Sequence, residues 1–244
     1  GKHTFDPPQT NVKEFNQLNH TIQLLLERNQ EIFESQKQFI ENAAHELQTP
    51  LALSINKLEL FVENAEVSET EMENIGAVME NLERLTRLNK SLLLLSKIEN
   101  NQFEAHEPNN LNEIIAKTIS DFEDFSAHKK IEVVFEDLTT IRPRIPVDLL
   151  QIMVSNLLKN AIVHNFEAGR VTIIAQGNML TIENSGSEQS LDNDRIFSRF
   201  YKESGSRNST GLGLAIVKAI ADSYHLKLNY EFTEGKHLFK VEFM

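Results

Sequence analysis

Between Phe15 and Ile98 the chain holds one proline, Pro50, and one glycine, Gly76, and its apolar residues return every three or four positions. A strand cannot follow that period, so this stretch is confined to long helices. Phe15, Leu18, Ile22, Leu25, Ile32 and Phe39 form the first part of the stripe, with the polar Asn29 and Gln36 interrupting it. After a phase shift Ile40, Ala44, Leu47, Leu51, Ile55, Leu58 and Val62 continue it. The pattern lapses over 63–70. There Ser68 and Glu71 match a capping box and predict a second helix, faced by Met72, Ile75, Met79, Leu82, Leu85, Leu88, Leu92 and Leu95. A hairpin of two such helices has too little surface to bury both stripes, whereas a dimeric four-helix bundle buries them.

From about Phe103 the pattern changes. Helical stretches at 110–127, 147–164 and 211–224 alternate with β-branched runs at 131–135, 171–175, 180–183, 227–232 and 238–243. This predicts a mixed α/β domain in which the second and third runs form a hairpin through Gly177 and Asn178. Residues 186–210 are rich in Ser, Asn and Asp around the apolar Ile196, Phe197, Phe200 and Tyr201. A loop of that length in a compact domain is usually functional, and its aromatic residues are expected to anchor it as a lid.

Composition narrows the partners. Lys+Arg number 24 against 36 Asp+Glu, a formal charge of −12, and no basic run interrupts that balance. Such a surface argues against nucleic acid or an anionic membrane as the main partner. The absence of cysteine removes disulfides, thiolate metal sites and thiol nucleophiles together. No apolar run approaches the roughly 20 residues of a membrane-spanning helix.

Five segments carry chemistry. In 39–51, FIENAAHELQTPL, His45 falls on the flank of the stripe with Thr49 one turn below, so its ring is expected in solvent on a rigid element. A neutral imidazole is a usable nucleophile, and the neighbouring Glu46 can take its proton. Asn156 and Asn160 lie four apart on a predicted helix and share a face, where amide oxygens suit a hard cation such as Mg²⁺. Gly211 and Gly213 precede an apolar helical run, which allows a phosphate close approach to backbone N–H groups. The run Ile182-Glu183-Asn184-Ser185-Gly186 ends a strand with a polar reader and a glycine, and Arg199 and Lys202 bring cations on the lid. Taken singly, each of these segments also fits an ordinary surface or turn.

Taken in chain order, the segments resemble the phospho-acceptor motif and the asparagine, first-glycine, phenylalanine and second-glycine boxes of the sensor histidine kinases of two-component systems. The resemblance spans residues 15–244. It implies a helical hairpin forming a dimeric four-helix bundle, followed by an α+β sandwich of the Bergerat type. The implied divisions are a signalling-linker helix in 1–30, a dimerisation and histidine phosphotransfer domain in 31–102, and an ATP-binding domain in 103–244. By resemblance, His45 is the phosphorylated residue, Glu46 its acid/base partner, and Thr49 the residue that positions water in the phosphatase reaction. Asn160 would coordinate Mg²⁺ and Asn156 would support it. Asn184 and Gly186 would meet the adenine end of ATP, and Gly211, Leu212 and Gly213 would shape the phosphate loop. His164, Arg199 and Lys202 would be further nucleotide contacts.

The sequence departs from the family at four positions. Gln48 replaces a common basic residue, Asn184 an adenine-reading Asp, Glu188 a glycine and Val163 a lysine. The implied partners are a second copy of the chain and a response-regulator receiver domain acting in trans, with membrane attachment only through segments missing from this chain. The implied location is the cytoplasmic side of a bacterial inner membrane. Two competing functions are a same-fold ATPase without histidine chemistry and a phosphatase-biased or inactive scaffold.

Overall fold

The computed structural model describes residues 12–64, 67–100, 102–104, 107–187, 189–202 and 209–243. Helix α1 (Lys13–Asn64) runs unbroken for 52 residues, through Pro50 and across residue 30. Helix α2 (Glu69–Glu99) starts at the expected capping box. Ser68 Oγ accepts from the Glu71 N–H, and the Glu71 carboxylate accepts from the Ser68 N–H at 2.9 Å. Those hydrogen bonds hold the Glu71 carboxyl below its usual range, so the cap is complete at neutral pH and is lost as pH falls through that lowered value.

The two helices pack as a hairpin, yet most of the N-terminal stripe of α1 faces solvent in the single chain. Phe39 is 73% exposed, and Phe15, Leu18, Leu25 and Ile32 are exposed as well. The second part of the stripe fares differently. Ala44 is buried, and Ile40, Leu51, Ile55, Leu58 and Val62 are half-buried against α2, with Leu47 turned outward.

The rest of the chain is a sheet covered by helices. Helix α3 (Leu111–Asp121) and the short α4 (Glu123–His128) occupy the stretch expected to be one helix; the break falls at Phe122, which caps α3 and precedes α4. Strand β1 (Glu132–Asp137) leads through α5 (Val147–Val163) to β2 (Arg170–Gln176), which lies parallel to it. A crossover helix between parallel strands is the connection that geometry requires. Strand β3 (Met179–Ser185) returns antiparallel through the turn at Gly177, whose φ is +63°. Helix α6 (Gly213–Ser223) follows the polar stretch, and β4 (Lys227–Thr233) and β5 (Lys236–Glu242) close the sheet in the order β1-β2-β3-β5-β4.

Alternation sorts the two faces of the sheet. Val171, Ile173 and Ala175 on β2, Leu180 and Ile182 on β3, and Phe239 and Val241 on β5 point at the helices, and all are buried. They meet Leu149, Leu150, Met153, Val154, Leu157 and Leu158 of α5, with Ile216, Val217 and Ile220 of α6. Leu95 and Ile98, in the last turns of α2, belong to this same core. Leu157 is fully buried at its centre. Leu157→Ala is expected to cost about 3 kcal/mol, the loss typical of a buried leucine with its cavity, measured as the shift of a urea unfolding midpoint followed by circular dichroism.

Candidate functional site

His45 is exposed on α1, and so are Glu46 and Thr49. None of the three side chains is engaged in a hydrogen bond or ion pair with another described residue. The residue just before His45 is held firmly. Ala44, 3% exposed, is the one buried residue of α1 among those described. The buried amide of Asn89 on α2 donates to the Ala44 carbonyl at 2.6 Å. One turn earlier the Glu41 carboxylate accepts from Ser96 Oγ at 2.8 Å and from Asn100 Nδ2 at 2.6 Å. Lys37 Nζ donates to the Glu99 carbonyl at 3.0 Å. Hydrogen bonds to buried backbone allow little slippage, so these contacts fix which side of α1 meets α2 and leave the imidazole facing out.

A second cluster gathers around α5. The Asn156 Nδ2 donates to the Ile152 carbonyl at 2.8 Å, which leaves Oδ1 directed at the start of α6. A Cβ placed on Gly213 would sit 2.9 Å from that oxygen, so only glycine allows this approach. Asn160 is half-buried one turn on and makes no side-chain hydrogen bond among the described residues. No group of three His, Cys, Asp or Glu that could hold a metal occurs among the described residues. A Mg²⁺ carried by phosphates asks for less: one or two protein oxygens suffice, and the free amide oxygen of Asn160 fits that demand.

The end of β3 meets the end of α5. Asn184 is 2% exposed and points inward from β3, paired in register with His237 of β5. Its Nδ2 donates to the Ser185 carbonyl at 2.8 Å, and its Oδ1 is the atom left to accept a donor such as an exocyclic amino group. A Cβ on Gly186 would meet the His164 carbonyl at 3.0 Å and the His237 ring at 3.0 Å. His164 is the exposed C-cap of α5, its N–H donating to the Asn160 carbonyl at 3.0 Å. Val163, beside it, is half-buried.

The lid is only partly as expected. Phe197 packs edge-on to Phe239, with ring centroids 6.5 Å apart, and Tyr201 packs against the core. Phe200 does not anchor: it is 53% exposed with a φ of +64°, and its N–H donates to the Gly211 carbonyl at 2.9 Å. Gly211, φ +70°, lies so close to Phe200 and Tyr201 that a Cβ would be 2.9 Å from their backbone. Leu212 is buried as the N-cap of α6.

The two lid cations are engaged elsewhere. Arg199 pairs with Glu99 at the end of α2, and Lys202 Nζ donates to the Ser209 carbonyl. Burial, with the Arg84 guanidinium of α2 nearby, holds the Lys202 ammonium below its usual range. Glu188 and residues 203–208 lie outside the described residues. The structure thus brings Asn156 to Gly213, and Asn184 with Gly186 to the end of α5, but leaves Arg199 on α2. Sequence reading missed His237 and Tyr230. Only the strand register, which sets His237 opposite Asn184, reveals them.

Comparison with known proteins agrees with this arrangement. Residues 35–101 match the model of the His Kinase A (phospho-acceptor) domain. Residues 146–243 match that of the histidine kinase-, DNA gyrase B- and HSP90-like ATPase, and the two matches together span more than half of the chain. The heme sensor protein HssS of Staphylococcus saprophyticus is 33% identical over 222 residues, 88% of this chain and 48% of its own length. HssS of Staphylococcus aureus is 31% identical over 228 residues, 91% of this chain and 50% of its own. The chain therefore spans about half the length of the curated relatives it matches. Among solved structures, full-length ShkA in complex with AMPPNP superposes with a TM-score of 0.63 at 20% identity, covering 85% of this chain and 46% of that one. The Acinetobacter baumannii histidine kinase AdeS superposes with a TM-score of 0.57 at 23% identity, covering 82% and 96%. A phospho-acceptor helix pair followed in one chain by this ATPase fold places the protein among the sensor histidine kinases, as their transmitter region.

Proposed function

We propose that the chain is an ATP-dependent histidine autokinase whose phosphorylated residue is His45, and that the phosphoryl group then passes to an aspartate of a separate receiver domain. The observation that carries this reading is the exposed His45 beside a buried, pinned Ala44, on the same chain as an ATPase fold that turns Asn156, Gly213 and Asn184 toward one end of the sheet. In the first step an imidazole nitrogen attacks the γ-phosphorus in line. The new P–N bond forms as the bond to the β,γ-bridging oxygen breaks, and that oxygen leaves with the electron pair on ADP. The ring proton goes to the Glu46 carboxylate. Asn160 would hold Mg²⁺, which supplies charge neutralisation on the phosphates when bound. Asn156 and the backbone N–H groups around Gly211 to Gly213 would position the phosphates, and Asn184 Oδ1 would accept from the adenine amino group.

The exposed apolar stripe of α1 supports assembly with a second copy into a four-helix bundle, since a lone helix pair leaves Phe15, Leu18, Leu25, Ile32 and Phe39 in water. Thr49, one turn below His45, would hold a water against the phosphorylated receiver in the reverse reaction. The division of the chain at residues 30 and 102 and attachment to a membrane through segments beyond this chain belong to the same proposal. No described helix is long and apolar enough to cross a membrane. Asn184 in place of an aspartate, with Arg199 held on Glu99, favours a second reading in which phosphatase activity outweighs kinase activity.

With γ-labelled ATP and Mg²⁺, wild type is expected to take up acid-labile, alkali-stable label, and His45→Gln none. ATP hydrolysis without labelled protein would overturn the autokinase reading. Thr49→Ala should keep the rate of labelling and slow the loss of phosphate from the receiver partner; equal loss of both activities would remove Thr49 from that role. Gly213→Ala would place a Cβ 2.9 Å from Asn156 Oδ1 and so push that amide out of its present position. It should weaken binding of a non-hydrolysable ATP analogue about tenfold in calorimetry, as for one lost hydrogen bond.

A further inference from the structure

One polar chain inside the sheet domain has no part in the chemistry above. Tyr230 of β4 and His237 of β5 lie on the inward face, both buried, His237 at 5% exposure. Their rings stack, with centroids 5.9 Å apart and planes 23° apart. The Leu191 N–H donates to Tyr230 Oη at 3.1 Å, Tyr230 Oη and His237 Nδ1 are 2.7 Å apart, and His237 Nε2 lies 3.0 Å from the Ser187 carbonyl.

The directions of these bonds follow from their ends. A carbonyl only accepts, so Nε2 carries the proton. A neutral imidazole then presents a bare Nδ1, which accepts the Tyr230 O–H, and the phenol oxygen keeps a lone pair for the Leu191 N–H. The chain is satisfied from end to end, and its two ends are the Ser187 carbonyl and the Leu191 N–H, in the stretch that follows β3. It holds the backbone at both ends, while a Cβ at position 186 would crowd the His237 ring at 3.0 Å. His237 also stands opposite Asn184 in register. The clamped backbone therefore begins at Ser187, three residues beyond the proposed adenine reader.

We propose that Tyr230 and His237 are positioning residues for nucleotide binding: their relay holds the backbone at Ser187 and Leu191, and with it Gly186 and Asn184, in the conformation that receives the base. The inference rests on the nucleotide-binding reading above, but on no histidine chemistry. A relay of two buried side chains costs nothing to reorganise when the ligand arrives, which is how preorganisation contributes affinity. Removing one link frees the backbone at Ser187 and Leu191, and the ligand must then order it.

Tyr230→Phe deletes one hydroxyl and keeps the ring on His237 and Phe239. Two readouts test the proposal on the whole chain: exchange of the Leu191 amide in the free protein, and calorimetric affinity for a non-hydrolysable ATP analogue with Mg²⁺. The expected result is faster exchange at Leu191, affinity weakened about tenfold, and a melting temperature lowered by a few degrees as His237 Nδ1 loses its partner. In the labelling reaction the KM for ATP should rise with kcat kept. His237→Gln, which retains an acceptor and a donor, should keep most of the affinity, and His237→Leu should match Tyr230→Phe. That pair decides the matter if Tyr230→Phe fails to fold. Faster exchange with unchanged affinity overturns the positioning role, and unchanged exchange overturns the clamp. Failure of wild type to bind the analogue overturns the nucleotide-binding reading, and this inference with it.

Discussion

Everything else in the molecule hangs on the last turns of α2. Leu95 and Ile98 leave the helical hairpin and enter the core of the sheet domain, where α2 packs against α6. Two fully buried aliphatic side chains contribute about 2 kcal/mol each. The polar contacts at the same junction are weaker. Ser223 Oγ donates to the Ile98 carbonyl at 3.3 Å, and Tyr224 Oη to the Phe103 carbonyl at 3.2 Å. The Arg199–Glu99 ion pair, with its arginine 44% exposed, contributes at most about 1 kcal/mol. Apolar burial therefore fixes where the sheet domain sits on the stem, and the ion pair only orients the lid. A helix that must pair with α1 along one side and plug a core with its end also explains the distribution of burial. The buried residues of α2 are Asn89, Leu93, Leu95, Ser96 and Ile98, all in its second half.

How legible this was from the sequence depended on the range of the interaction. The helical period, the Ser68–Glu71 cap and the glycine turn at Gly177 are local, and the structure reproduces each of them. The strands fell within a residue or two of their observed ends for the same reason. The break at Phe122 did not show, because 110–127 keeps a helical composition throughout; the chain bends there so that Phe122 packs on the core while the next turn starts afresh. Arg199 illustrates a harder case. Its position on the lid suggested a phosphate partner, but Glu99 lies a hundred residues away in sequence, and only the packing of α2 brings them together. Phe200 was expected inside because aromatic residues usually are. Its φ is positive and it lies against Gly211, and its ring faces outward.

The buried polar residues near the site separate what a motif can reveal from what a fold must reveal. Asn184 and His237 stand side by side on a face that is otherwise apolar, at the end of the sheet where β3 and α5 finish. Buried polar groups without partners are costly, so each must be satisfied or face a ligand. His237 is satisfied at both nitrogens within the protein. Among the described residues Asn184 is partnered only at its amide nitrogen, through the Ser185 carbonyl, and its oxygen is not a buried orphan. The same face thus carries one closed polar chain and one open acceptor. On the proposed nucleotide reading, this open acceptor would let an amide stand where the family more often has a carboxylate. An adenine amino group needs an oxygen to donate to, and a neutral one provides a weaker bond than a charged one without abolishing it. What remains of the affinity must then come from geometry, and the closed chain through Tyr230 and His237 is built to supply it.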